Sequence, residues 1–88
     1  MVVYGRKDIE EALARHMDIS ARTAKEVVGT VFDFVIDAVA EGDEVNITGF
    51  GKFYPAEQSE RVSFGHATPA KTVPKFKAGK TFKEAVLK

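Results

Sequence analysis

With 88 residues, 44% of them apolar, and no cysteine, the chain has room for one domain and for no disulfide or thiolate metal site. The apolar content is too high for a disordered chain. A chain of this length buries only about 60–65% of the surface its unfolded form exposes, so its core is thin and association with another chain is the remaining common route to stability. The formal net charge is zero, yet the charge is unevenly spread. Residues 1–51 carry five basic and ten acidic side chains, whereas residues 71–88 carry six lysines against one acid, Glu84. Such asymmetry suggests a basic face that meets an anionic partner. The opening "MVVYGRKD" has no signal-peptide character, and no apolar run approaches the ~18 residues that span a membrane, so a soluble cytoplasmic protein is expected.

In chain order, "RKDIEEALARH" predicts a first helix. Ile9, Ala12, Leu13 and His16 recur at helical spacing, and Asp8, Glu10 and Glu11 fall in the first turn, where the helix dipole favours acids. His16 has no second ligand at a useful spacing and reads as a helix-end residue. After the break at "DIS", Ser20 is a good N-cap for a long helix over Ala21–Glu41, and Gly42 is a natural stop. This helix is rich in β-branched residues, so packing rather than propensity must hold it. Phe34 and Ile36 widen its apolar stripe to more than half the circumference, which needs more cover than a chain of this size supplies alone. A dimer is therefore expected.

"DEVNITGFGKFYP" follows and predicts strands, with Val45, Ile47 and Phe53 separated by a turn at Thr48–Gly51. Pro55 cannot donate to a ladder, so it marks an edge or a bulge. "VPKFK" reads as the end of another strand. "AGKTFKEAVLK" reads as a short terminal helix with Phe82, Ala85 and Val86 on one face, and Thr81 and Glu84 have capping-box spacing.

"VFDFVIDAVAEGDEVNITGFGKF" and "VPKFKAGKTFKEAV" resemble the bacterial histone-like family, HU and integration host factor, with Ala78 where the family usually has proline. "TPAKTVP" also resembles the family's return from its arm. The resemblance covers nearly all of the chain except residues 54–67. It implies an α+β fold: an intertwined dimer in which each chain gives two N-terminal helices, a three-stranded antiparallel sheet with a β-hairpin arm, and a short C-terminal helix. On this reading residues 1–88 form one domain, with a helical dimerisation region at 1–42, the sheet and shortened arm at 43–77 (the arm at about 54–72), and the C-terminal helix at 78–88. Phe32, Val35, Phe50, Phe53 and Phe76 would fill the shared core.

The resemblance also implies double-stranded DNA as partner, a nucleoid-associated location and no cofactor. Lys75, Lys77, Lys80 and Lys83 fall at or near positions that meet the DNA backbone in relatives, and Arg6 and Arg22 match basic positions that touch flanking DNA. Lys71 and Arg61 extend the basic set toward the arm. The arm itself departs from the family. It is several residues shorter, Ala56 and Gln58 stand where two arginines are usual, Glu57 and Glu60 add negative charge, and only Arg61 keeps a usual basic position. The Arg-Asn-Pro tip is missing, and Pro69 belongs to the base of the arm. Ser63-Phe64-Gly65-His66 suits a type II turn with Gly65 at the position of positive φ, which puts Phe64 at the apex. Phe64 then either wedges between base steps, as apolar side chains of minor-groove proteins do, or folds back on the hairpin.

Two functions fit these residues. One is an architectural DNA-binding homodimer that bends DNA less than its family because the arm is short and poor in cations. The other is a protein-interaction or structural dimer on the same scaffold, such as a heterodimer partner or antagonist of a true family member. An enzyme is not expected: neither His16 nor His66 has a nucleophile or carboxylate partner at a known spacing, and "GFG" is no phosphate loop.

Overall fold

The computed structural model describes residues 1–58, 61–63, 65–68 and 70–87. The chain forms two compact units, Met1–Phe34 and Val35–Lys88.

In the first unit, helix α1 runs over Arg6–Met17. Its start is organised by Asp8, whose carboxylate accepts the Gly5 N–H at 2.7 Å while the Asp8 N–H donates to the Gly5 carbonyl at 3.1 Å. Glycine has no side chain to return the bond, so this is half of a capping box. The helix ends at Asp18, which adopts the left-handed conformation (φ 53°, ψ 51°), and the Ile19 N–H then closes on the Ala14 carbonyl at 3.1 Å. A non-glycine residue there costs about 1–2 kcal/mol, and aspartate is one of the few that visit the region.

Helix α2 covers Ala21–Ala40. Ser20 caps it as its position predicts: its hydroxyl oxygen accepts the Thr23 N–H at 3.1 Å. The far end is a Schellman closure around Gly42 (φ 93°), with Gly42 N–H on the Val39 carbonyl at 3.0 Å and Asp43 N–H on the Ala38 carbonyl at 2.9 Å. Within the first unit only Ala24, Val28 and Gly29 are buried. The Arg6 guanidinium lies 5.8 Å from the centroid of the Phe32 ring, and a Cβ added at Gly29 would fall 2.6 Å from it. Gly29, which propensity disfavours in a helix, thus makes the room that Arg6 occupies between α1 and α2.

In the second unit, strands β1 (Val45–Ile47), β2 (Gly51–Gln58) and β5 (Lys71–Ala78) form an antiparallel sheet in the order β1-β2-β5. β1 and β2 are joined by a turn in which the Phe50 N–H donates to the Ile47 carbonyl at 3.0 Å and Gly49 has φ 82°. That positive φ is why the turn needs glycine. β2 pairs with β5 without interruption from Gly51↔Ala78 to Gln58↔Lys71, so no bulge accompanies Pro55. Pro55 lies directly opposite Pro74. Neither has an N–H to give, so this rung is a non-hydrogen-bonded pair, and β1, which ends its pairing at Phe53, does not reach Pro55 on the other side. A central strand therefore tolerates proline here because its neighbour has already ended.

The hairpin continues as β3 (Arg61–Ser63) and β4 (His66–Thr68), with Ser63 opposite His66 across a two-residue loop. Gly65 has φ 79°, as expected from the sequence. Phe64, the expected apex, lies outside the described residues. Helix α3 spans Lys80–Val86 with Gly79 as N-cap and no side-chain cap bond. The Thr81–Glu84 capping box is thus not formed, since Thr81 already lies inside the helix. The Gly79 N–H instead donates to the Phe50 carbonyl at 2.8 Å, which ties the end of β5 to the turn before β2.

Candidate nucleic-acid interface

Strand alternation divides the paired β2 and β5 into two chemically opposite faces. Gly51, Phe53, Pro55 and Glu57 alternate with Lys52, Tyr54, Ala56 and Gln58, and the register matches Phe53 with Phe76, Lys52 with Lys77, Tyr54 with Lys75, and Gln58 with Lys71. On the first face Phe50, Phe53, Phe76 and Phe82 form one aromatic cluster. Ring centroids lie 4.7 Å apart for Phe53–Phe76, 5.2 Å for Phe50–Phe82 and 5.4 Å for Phe50–Phe76, within the range of favourable aromatic pairs. Gly51 is buried beside them. A Cβ there would fall 2.6 Å from the Lys77 carbonyl oxygen and from the Phe76 ring, so only glycine lets the two strands approach at this point.

The second face carries Lys52, Lys71, Lys75 and Lys77, with Tyr54 among them. Like charges directly opposite each other, as Lys52 and Lys77 are, destabilise a sheet unless something anionic lies over them. Glu44 approaches Lys52 at 3.6 Å, and the Lys52 Nζ lies 5.3 Å from the Tyr54 ring centroid. An open groove of about 590 Å³ at the Gly51–Ala78 end of the sheet is lined by Lys52 and Lys77 and by Lys80, Lys83 and Glu84 of α3. Asn46, Thr48 and Gly49 from the β1–β2 turn also line it. Lys80 makes an exposed i,i+4 pair with Glu84 at 3.9 Å, an interaction that adds little to stability.

The expected basic residues therefore separate. Lys71, Lys75 and Lys77 share one strand face, Lys80 and Lys83 share the adjoining groove, and Arg61 lies on β3, opposite Thr68. Arg6 and Arg22 belong to the helical unit. Arg22 is exposed and only 3.9 Å from Glu26, but Arg6 pairs with Glu10 at 3.3 Å and packs on Phe32 and Gly29, so it has a structural task beside any ligand contact. Lys52 and Tyr54 went unread as site residues. The signal was present in "GKFYP": once Phe53 is assigned inward, its two neighbours must face the other way.

Residues 4–87 match the sequence profile of the bacterial DNA-binding protein family. DNA-binding protein HU 1 of Bacillus subtilis is 36% identical over 87 residues, covering 92% of this chain and 95% of the relative. DNA-binding protein HU-beta of Neisseria meningitidis serogroup A is 34% identical, covering 92% and 98%. The aligned stretch of 87 positions is longer than 92% of an 88-residue chain, so each relative has several positions with no counterpart here. Among solved structures, Anabaena HU in a cocrystal with DNA superposes with a TM-score of 0.86 at 30% identity, covering 96% of this chain and 98% of that one. HU from Thermotoga maritima superposes with a TM-score of 0.71 at 28% identity, covering 94% and 98%. Two helices, a three-stranded antiparallel sheet with a hairpin beyond it, and a short terminal helix are the arrangement the resemblance implies. The chain belongs to the bacterial DNA-binding protein family, among relatives named HU.

Proposed function

We propose that this protein is a homodimeric, HU-like architectural protein of the nucleoid that binds duplex DNA largely without sequence preference through the lysines of its body, and bends it less than its relatives do. The observation that carries the reading is the division of the β2–β5 faces. An aromatic cluster on one side and Lys71, Lys75 and Lys77 on the other give one strand pair both an assembly surface and an anion-binding surface. Lys80 and Lys83 continue the basic surface in the groove.

Homodimerisation is supported by how little one chain covers. Phe34 is 66% exposed, Ile36 63%, and even the clustered Phe50 and Phe76 exceed 40%. Apolar surface of this extent marks an interaction site. Phe32, Val35, Phe50, Phe53 and Phe76 would enter the core shared by two copies.

Weaker bending follows from the arm. Each neutralised phosphate adds about 0.9 to the slope of log affinity against log salt, and two missing cations per subunit remove about four such contacts from a dimer. Bending a site of 20–30 base pairs costs on the order of 1–6 kcal/mol, which the contacts made possible by the bend must offset. Ala56 and Gln58 offer no charge toward that. The relatives' extra aligned positions agree with a shortened arm.

Binding to intact and nicked duplexes across a salt series, with light scattering for mass, tests the reading. Binding at ~50 mM salt that weakens steeply as salt rises is expected. A stable dimer that binds neither duplex at that salt would favour the protein-interaction scaffold instead.

A further inference from the structure

We infer that Lys52 is a further DNA-phosphate contact, and that Glu44 is its built-in counter-ion, which the DNA backbone must displace. The inference rests on the DNA-binding reading above and extends it to two residues outside the arm and outside α3. Four observations carry it. Lys52 faces Lys77 across β2–β5, on the side away from the phenylalanines. Those two lysines line one open groove together with Lys80, Lys83 and Glu84, so four basic residues against one acid border it. Directly opposed lysines work against the sheet that holds them, an arrangement that a phosphodiester lying across both would relieve. Finally, Lys52 is held in place: Tyr54 lies beneath its ammonium at 5.3 Å and Glu44 beside it at 3.6 Å.

The Glu44 pair is of the displaceable kind. The two side chains are 36% and 51% exposed, and such pairs contribute little in water. Glu44 keeps Lys52 extended over the face while DNA is absent and is exchanged for a phosphate oxygen when DNA arrives. It also lowers the positive potential of the groove, and so sets how tightly the body holds DNA.

The test uses the full-length protein and a fluorescent intact duplex, titrated from 50 to 200 mM salt. Lys52→Gln should lower the salt slope by about 1.8 per dimer, so that the wild type loses roughly tenfold more affinity than the variant across this range. Lys52→Arg should bind as the wild type. Glu44→Gln should bind several-fold tighter than wild type, and this gain should vanish in the Glu44→Gln, Lys52→Gln double variant. Lys25→Gln, a loss of the same charge on the helical unit, should leave the slope unchanged. Melting temperatures confirm that each variant is folded. If Lys52→Gln matches Lys25→Gln while Lys83→Gln weakens binding, the Lys52 inference is overturned and the DNA-binding reading stands. If the wild type itself binds no duplex at 50 mM salt, both fall together.

Discussion

The two faces of the β2–β5 strand pair share a backbone and differ in everything else. Alternate residues send Phe53 and Phe76 to one side and Lys52, Lys75 and Lys77 to the other. The rings of the aromatic face meet one another, and the glycine at position 51 leaves the room for Phe76 beside it. The lysine face is open and opposes like charges. One face is arranged for stability and the other against it, which is what a surface shaped by a polyanionic partner looks like.

Substitutions on the two faces should therefore separate stability from binding. The largest effect is expected from Phe76→Ala, which removes a ring in contact with Phe50, Phe53 and Phe82. Loss of about 3 kcal/mol is expected in chemical denaturation, with dissociation of the proposed dimer by light scattering. A variant that keeps full stability would show that the aromatic face does not hold the molecule. Gly51→Ala comes next. Its Cβ would meet a backbone carbonyl that cannot move without parting β2 from β5, so a loss of about 1–3 kcal/mol is expected from the same measurement.

The lysine face should behave in the opposite way. Replacing Lys75 and Lys77 together by Gln should leave the unfolding midpoint nearly unchanged and reduce the salt slope by about 3.6 for the proposed dimer. Smallest in stability, and sharpest as a contrast, is Lys77→Glu. It sets opposite charges across the sheet at Lys52 and should raise stability by about 0.2–1 kcal/mol while DNA affinity falls. If stability and affinity move in the same direction, the two faces are not separable.

Much of this molecule was legible one residue at a time. Ser20 and Gly42 bound the long helix in the sequence as they do in the fold, because a cap is a local device whose partners lie within a few residues. Gly65 was readable as the positive-φ residue of its turn for the same reason. Pro55 was only half legible. Its missing N–H said that it could not donate, but not that a central strand accommodates it where β1 ends and Pro74 lies opposite. The capping-box spacing of Thr81 and Glu84 misled, because a spacing carries no information about where the helix starts, and Gly79 is fixed there by its bond to the Phe50 carbonyl.

The candidate site divides along the same line. The lysines of the C-terminal segment announce a basic surface by number alone. Which of them act together depends on register, and register is a relation between residues far apart in the chain, such as Lys52 with Lys77 or Tyr54 with Lys75. Arg6 makes the point from the other side: in the sequence it is one more cation, while in the fold it fills the space above Gly29 and pairs with Glu10.

By itself, then, the sequence determined the order of the helices and of the main strands, the ends of α2, and the depletion of charge along the arm, since each is a property of composition, periodicity or local hydrogen bonding. Only the tertiary structure decided which phenylalanines meet, why position 51 must be glycine, and that Lys52 lies opposite Lys77. Those facts depend on strand pairing, and a shift of one residue in β5 against β2 would have set the lysines of β5 beside Phe53 and Phe76 beside Lys52.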